Sequence, residues 1–150
     1  MLPIVKYPEV VRQFSRHFRD LFRHSGQYSS FRQYLAWLMV SENKTVAGIC
    51  ENFTFGKSAN SVDHFLIHSD WSEQGLNKNR IELLHRCSEL GSQPAGVCCI
   101  DDTFNHKTGT KIENVEKHFH HTEGRFLLAH STVTCHHKDK KVNYPIDLRP

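Results

Sequence analysis

Apolar residues recur at intervals of three and four up to about residue 93, and beyond it the rhythm changes. The first spacing is that of helices with one buried side. Pro8 suits the first turn of a helix that carries Val10, Val11, Phe14, Phe18, Leu21 and Phe22 on one side, and Gly26 is its expected end. Ser29 or Ser30 can cap a second helix with Phe31, Tyr34, Leu35, Leu38 and Met39 on one side. A short third helix is expected from Thr45 to about Phe53. After the polar break Gly56-Lys57-Ser58-Ala59-Asn60, Ser61 is the expected cap of a fourth helix around Val62–Ile67. Gly75 reads as another break, and Arg80 to Leu90 as a fifth helix ending at Gly91. The aromatic set Phe14, Phe18, Phe22, Phe31, Tyr34 and Trp37 interleaves with aliphatic residues, which predicts core rather than a base-stacking platform. Trp71 falls in a loop and carries no assignment.

Ser92-Gln93-Pro94 punctuates the chain. Ala95 to Ile100 then reads as a short buried strand. Phe104 to Gly124 is polar and histidine-rich without a clean period. Arg125 to Cys135 reads as a long strand, His136 to Lys141 as a turn, and Val142 to Leu148 as a returning partner. Pro145 lacks an N–H donor, which limits that pairing and suits an edge. The expected fold class is α+β: a helical region over residues 1–93, then antiparallel strands over residues 94–150.

At 150 residues the chain is long enough for one domain, or for a small domain with part of another. A hydrophobic share of 38% and a charged share of 23% fit a soluble globular protein. No apolar run approaches the ~20 residues of a membrane span, and Met1 to Pro8 lacks a signal-peptide core, so a cytoplasmic location and no membrane partner are expected. The five cysteines, Cys50, Cys87, Cys98, Cys99 and Cys135, show no CxxC pairing, which predicts reduced thiols rather than a disulfide framework. The formal charge of +3 is mild, but Arg12, Arg16, Arg19, Arg23 and Arg32 face only Asp20 along their stretch. Such a stripe suits phosphate contacts, and equally a solvated helix face.

The chemistry concentrates in Cys98-Cys99-Ile100-Asp101-Asp102-Thr103. Neighbouring side chains on a strand point to opposite faces, so Asp101 and Asp102 are separated. A carboxylate at a strand tip can hold Mg²⁺ for phosphoryl chemistry, while Asp-Asp-Thr also makes a good turn. His106, His118, His120, His121, His130, His136, His137 and Cys135 offer zinc-type donors, but their spacing fits no standard zinc motif.

Ile100-Asp101-Asp102-Thr103, followed by Lys107-Thr108-Gly109 and later Gly124-Arg125, resembles the start of the catalytic domain of bacterial insertion-sequence transposases. These are Asp-Asp-Glu (DDE) superfamily endonucleases with an RNase H-like core. Phe31-Arg32-Gln33-Tyr34-Leu35 and Lys44-Thr45-Val46-Ala47-Gly48-Ile49 look like the helical segment before that domain, so the resemblance runs from about Phe14 to Arg149. It implies an α+β fold in which a helical DNA-binding or dimerisation region precedes the first three antiparallel strands of an incomplete RNase H-like core. Asp102 matches the first catalytic aspartate and is the implied metal ligand. Asp101 and Thr103 are its implied supports, and Lys107 an implied phosphate contact beside Arg12, Arg16, Arg19 and Arg23. Mg²⁺ is the implied cofactor of the complete family site, and the implied partners are DNA, a second copy or an intact transposase. The family's second Asp and its Glu lie farther downstream than Pro150, so the expectation is a truncated or frame-interrupted copy without cleavage activity. Covering helices would then be missing, leaving Phe126, Leu128 or Val133 exposed according to register. Whether the chain is itself an enzyme stays open at this point. The rival readings are a non-catalytic DNA-binding protein and a zinc-dependent interaction module.

Overall fold

The computed structural model describes residues 5–40, 42, 45–46, 48, 53–91, 95–109 and 111–149. Helices come first and an antiparallel sheet follows, in two compact units, Met1–Asn79 and Arg80–Pro150. No helix among the described residues is long and apolar enough to cross a membrane.

Helix α1 (Glu9–Ser15) starts after Pro8 and passes into a 3-10 turn, Arg16–Leu21. Phe22 then leaves the helix with extended φ −114° and ψ 124°. The single helix expected from Pro8 to Gly26 is therefore broken, and Gly26 lies in the first turn of α2 (Ser25–Val40). Core packing drives the break. It delivers Phe22 to Phe31 at 4.8 Å and to Phe65 at 5.9 Å, while Phe18 also reaches Phe31 at 5.6 Å. Arg19 Nη1 closes the turn by donating to the Phe22 carbonyl at 2.9 Å.

Helix α2 begins ahead of the expected serine caps. Ser30 is buried within it and donates to the Gly26 carbonyl at 3.2 Å. Phe31, Ala36 and Trp37 form its buried face, whereas Leu38 and Met39 are exposed. Gln33 is fully buried, and its carboxamide fits the backbone of Lys57 like a strand partner. Nε2 donates to the Lys57 carbonyl at 2.8 Å, and the Lys57 N–H donates to Oε1 at 2.6 Å. Gly56 adjoins this clamp with φ 108°, and a Cβ there would collide with the Gln33 carboxamide.

The expected helix from Thr45 to Phe53 lies largely outside the described residues. Helix α3 (Ala59–His68) is capped by Ser58, not Ser61, since Ser58 Oγ accepts from the Ser61 N–H at 3.4 Å. Its Val62 packs on Trp37, with Tyr34 and Leu66 against the pair. Trp71 stacks on Phe65 at 5.9 Å and donates Nε1–H to the Phe65 carbonyl at 3.2 Å. Helix α4 (Glu73–Arg86) runs through Gly75 instead of stopping there. Ser72 Oγ accepts the Gly75 N–H at 3.0 Å, so the serine cap supplies the partner that a first-turn donor needs.

The sheet has four strands: β1 (Val97–His106), β2 (Glu116–His120), β3 (Arg125–Lys138) and β4 (Asn143–Arg149). Every other strand pairs antiparallel with β3. β1, β3 and β4 are the three expected strands, and β2 is an addition within the histidine-rich stretch. β3 outruns its expected end at Cys135, so His136, His137 and Lys138 are strand rather than turn. The turn is Asp139–Val142, where Asp139 Oδ1 accepts the N–H groups of Lys141 and Val142, each at 2.7 Å. Pro145 sits opposite His136 where the β3–β4 register shifts, a place that needs no N–H from it. Midway along α4, Arg80 Nη2 donates to the β4 carbonyls of Pro145 at 2.6 Å and Ile146 at 3.1 Å.

The expected burial of the first strand is not met. β1 is exposed along nearly its whole length, with Ile100 73% exposed. A continuous apolar run signals burial on both faces only where layers cover both faces. Phe126 and Val133 are exposed too, and Leu128 is half-buried.

Replacing Gln33 by Leu leaves the Lys57 N–H and C=O without that partner inside the packed helical unit. A loss of about 1–3 kcal/mol is expected, from two hydrogen bonds worth about 0.5–1.5 kcal/mol each. Urea denaturation followed by Trp fluorescence reads it, since Trp37 lies in the same core.

Candidate functional site

The register with β3 fixes where each acidic side chain points. Asp101 pairs with Thr134, Asp102 with Val133 and Thr103 with Thr132. Asp101 and Thr103 therefore share one face, and Asp102 lies on the other with Phe104 and His106. All three are exposed. Asp102 is mid-strand rather than at the strand's end, because pairing continues to His106 opposite Ala129. Phe104-Asn105-His106, the start of the stretch expected to lack a clean period, has a fully formed partner in Ala129–Ser131. β1 pairs only with β3 among the described residues, so β3 is the central strand and β1 borders it.

Across the sheet, the Asp102 face continues through Val133 to Arg149, and one row on, from Ile100 through Cys135 to Asp147. Arg149 Nε donates to Asp147 Oδ2 at 2.8 Å. That bond, with a further one from the Leu148 backbone, holds the Asp147 carboxyl below the usual carboxylate range. Burial pushes the Cys135 thiol up, helped by neighbouring Cys98, which keeps it a thiol rather than a reactive thiolate. The N–H of Lys107 donates to the Leu128 carbonyl at 2.8 Å as the chain leaves β1.

The arginines do not form one uninterrupted stripe. Arg12 pairs with Glu9 at 3.0 Å on α1, and Arg16 is exposed at the start of the 3-10 turn. Arg19 is half-buried, with its guanidinium 5.5 Å from the Tyr28 ring centre. Arg23 lies beyond the helix, 3.9 Å from Asp70. Pairs this exposed hold their arginines only weakly and leave them able to meet phosphate.

One constellation is invisible in composition. The sheet coils so that Phe104 of β1 stacks on His118 of β2 at 4.9 Å although β3 lies between their strands. Fully buried Ala129 lies at the crossing, where a larger side chain would keep the flanking strands apart. His106, His120 and Glu123 meet on this face, their ligating atoms all within 4.8 Å of one another. Arg125 donates to Glu123 Oε2 through Nε at 2.8 Å and Nη2 at 2.6 Å. That bonding is the main reason the Glu123 carboxyl sits below the usual range. The histidines stand out in the sequence, but nothing local marks Glu123. Its place follows from the short loop 121–124, closed by Gly124 at φ 63° and by the Gly124 N–H donating to the His120 carbonyl at 2.8 Å.

Compared with known families, residues 17–150 match the DDE superfamily endonucleases. The match covers most of the sequence, and the chain belongs to that family. Helices followed by a four-stranded antiparallel sheet agree with a partial RNase H-like fold. The family defines a nuclease of transposase type that acts on DNA with divalent metal. No curated protein and no solved structure matches the chain.

Because Arg125 is the main cause of the lowered Glu123 pKa, Arg125→Ala is expected to raise it toward the ordinary glutamate value. A carboxyl-carbon NMR titration of the two proteins measures this directly. A depressed folded-state pKa contributes stability above the unfolded value, and that contribution is lost as pH falls through the folded one.

Proposed function

We propose that this chain corresponds to the N-terminal portion of an insertion-sequence transposase. Residues 1–93 would serve DNA binding or dimerisation, and residues 94–150 would open the catalytic domain. The observation that supports this best is the exposed carboxylate of Asp102 on β1, in the acidic-Asp-Thr motif and inside the family-matched segment. In this reading Asp102 is the first catalytic aspartate and a Mg²⁺ ligand. Asp101 and Thr103 brace the strand from its other face. Arg12, Arg16, Arg19, Arg23 and Lys107 contact DNA phosphates. Cytoplasmic residence fits this role. Exposed Ile100, Phe126 and Val133 suit contact with a second copy or with an intact transposase.

The residues present do not fit a two-ion centre. Mg²⁺ keeps most of its waters on a single carboxylate, and a two-metal site needs several. Among the described residues, the one group of three His, Cys, Asp or Glu side chains placed to share an ion does not include Asp102. A second reading, non-catalytic occupation of element ends, needs only the basic residues, and the exposure of Arg12, Arg16 and Arg23 favours it.

The purified chain is expected to show no strand cleavage with Mg²⁺ or Mn²⁺ on supercoiled plasmid. Metal-dependent nicking that Asp102→Ala abolishes would show that other acids complete the site. DNA binding is expected to be weak and to fall steeply with salt, as for any interface dominated by phosphates. In fluorescence anisotropy, replacing Arg12, Arg16 and Arg23 by Ala should lower the salt slope by about 1 for each phosphate no longer neutralised. An unchanged slope would mean that these arginines are only solvated.

A further inference from the structure

A second site stands apart from the acidic motif. We propose that His106, His120 and Glu123 bind a first-row transition-metal ion of the Zn²⁺ kind, pinning the end of β1 to the β2–β3 hairpin. His106 is the last residue of β1, His120 the last of β2, and Glu123 lies in the loop that joins β2 to β3. These positions are far apart in sequence, and only the coiling of the sheet over Ala129 brings them together. His106 Nε2 lies 4.0 Å and His120 Nδ1 3.9 Å from the same carboxylate oxygen, Glu123 Oε1. Those distances are too long for hydrogen bonds. They are also wider than the ~3.4 Å separating ligand atoms that sit about 2.1 Å from a tetrahedral ion. The two imidazoles need close on the carboxylate by only about half an ångström, and the set as a whole, within 4.8 Å, by no more than about 1.4 Å; His106 and Glu123 are exposed enough to do so.

The surroundings orient the ligands. Arg125 occupies Glu123 Oε2 with two N–H groups, leaving Oε1 toward the imidazoles. An outer partner of this sort commonly fixes a ligating carboxylate. His120 Nδ1 accepts a long 3.3 Å bond from the Glu123 N–H, so its lone pair is turned to the loop, where an ion would displace that bond. The edge of one imidazole faces the other at 5.5 Å, and Phe104 lies 6.2 Å from the His120 ring. This gives the cluster an apolar wall. Two imidazoles and one carboxylate favour Zn²⁺ over Mg²⁺, which prefers all-oxygen octahedral sites. Three protein ligands leave a fourth position for water. Asp102 is no part of this site.

The test is titration of the metal-free full chain with Co²⁺, followed by its visible spectrum, and with Zn²⁺, followed by calorimetry. One equivalent should bind, with the absorption of a tetrahedral nitrogen–oxygen site and a rise in melting temperature. Glu123→Gln and His120→Ala should each weaken binding at least tenfold. Arg125→Ala, which removes only the outer partner, should weaken it by about 10-fold. His136→Ala, outside the cluster, should leave it unchanged, and circular dichroism of each variant confirms folding. Absence of binding would overturn the proposal. So would undiminished binding in Glu123→Gln, or a thiolate-to-cobalt band placing the ion on Cys98, Cys99 or Cys135.

Discussion

Backbone pairing along β3 is the constraint on which the strand-bearing unit depends. Its residues Arg125 to Lys138 are the partner of every other strand, with β1 along one edge and β2 and β4 end to end along the other. Little apolar burial supports this unit. Ala129 is its one buried hydrophobic residue among those described, whereas Val97, Ile100, Phe126 and Leu148 all face solvent. The sheet is thus defined by hydrogen-bond register and tight turns more than by a core. In such a sheet a one-residue slip along β3 would move Asp102 to the opposite face and scatter the histidine–glutamate cluster. The turns at residues 121–124 and 139–142 therefore bear directly on the chemistry, because they set that register.

The helical unit rests on different physics. Phe18, Phe22, Phe31 and Phe65 form one aromatic group, and Trp37 with Val62 forms the adjoining core. The Gln33 clamp ties the chain at Lys57 to α2 by two hydrogen bonds across 24 residues of sequence. This unit also carries the exposed arginines.

The chain belongs to the DDE superfamily endonucleases, a family that generally uses divalent metal. Asp102 is exposed, and its neighbours on the same face of β1, Ile100 and Phe104, carry no oxygen ligand. The better-assembled donor set is the softer one, built from His106, His120 and Glu123 at the far end of the same strand. One sheet face thus carries two kinds of donor, and their chemistry separates the ions they would prefer.

The sequence by itself determined that helices precede strands, the aromatic core apart from Phe14, which is exposed, the strand character around Asp102, and the family. Those features are local: periodicity, β-rich composition and a short motif survive in one dimension. Tertiary structure decided the rest. Helical spacing through Phe22 could not reveal that its ring would leave the helix for Phe65. Gly75 read as a break because the sequence does not show that Ser72 satisfies its N–H. β1 extends through Thr103–His106 only because β3 lies alongside, and β2 forms against the same strand. The cluster at Glu123 depends on that register, on the loop closed by Gly124, and on a small residue at position 129 that lets the sheet coil. These are contacts between residues distant in sequence, and no local pattern encodes them.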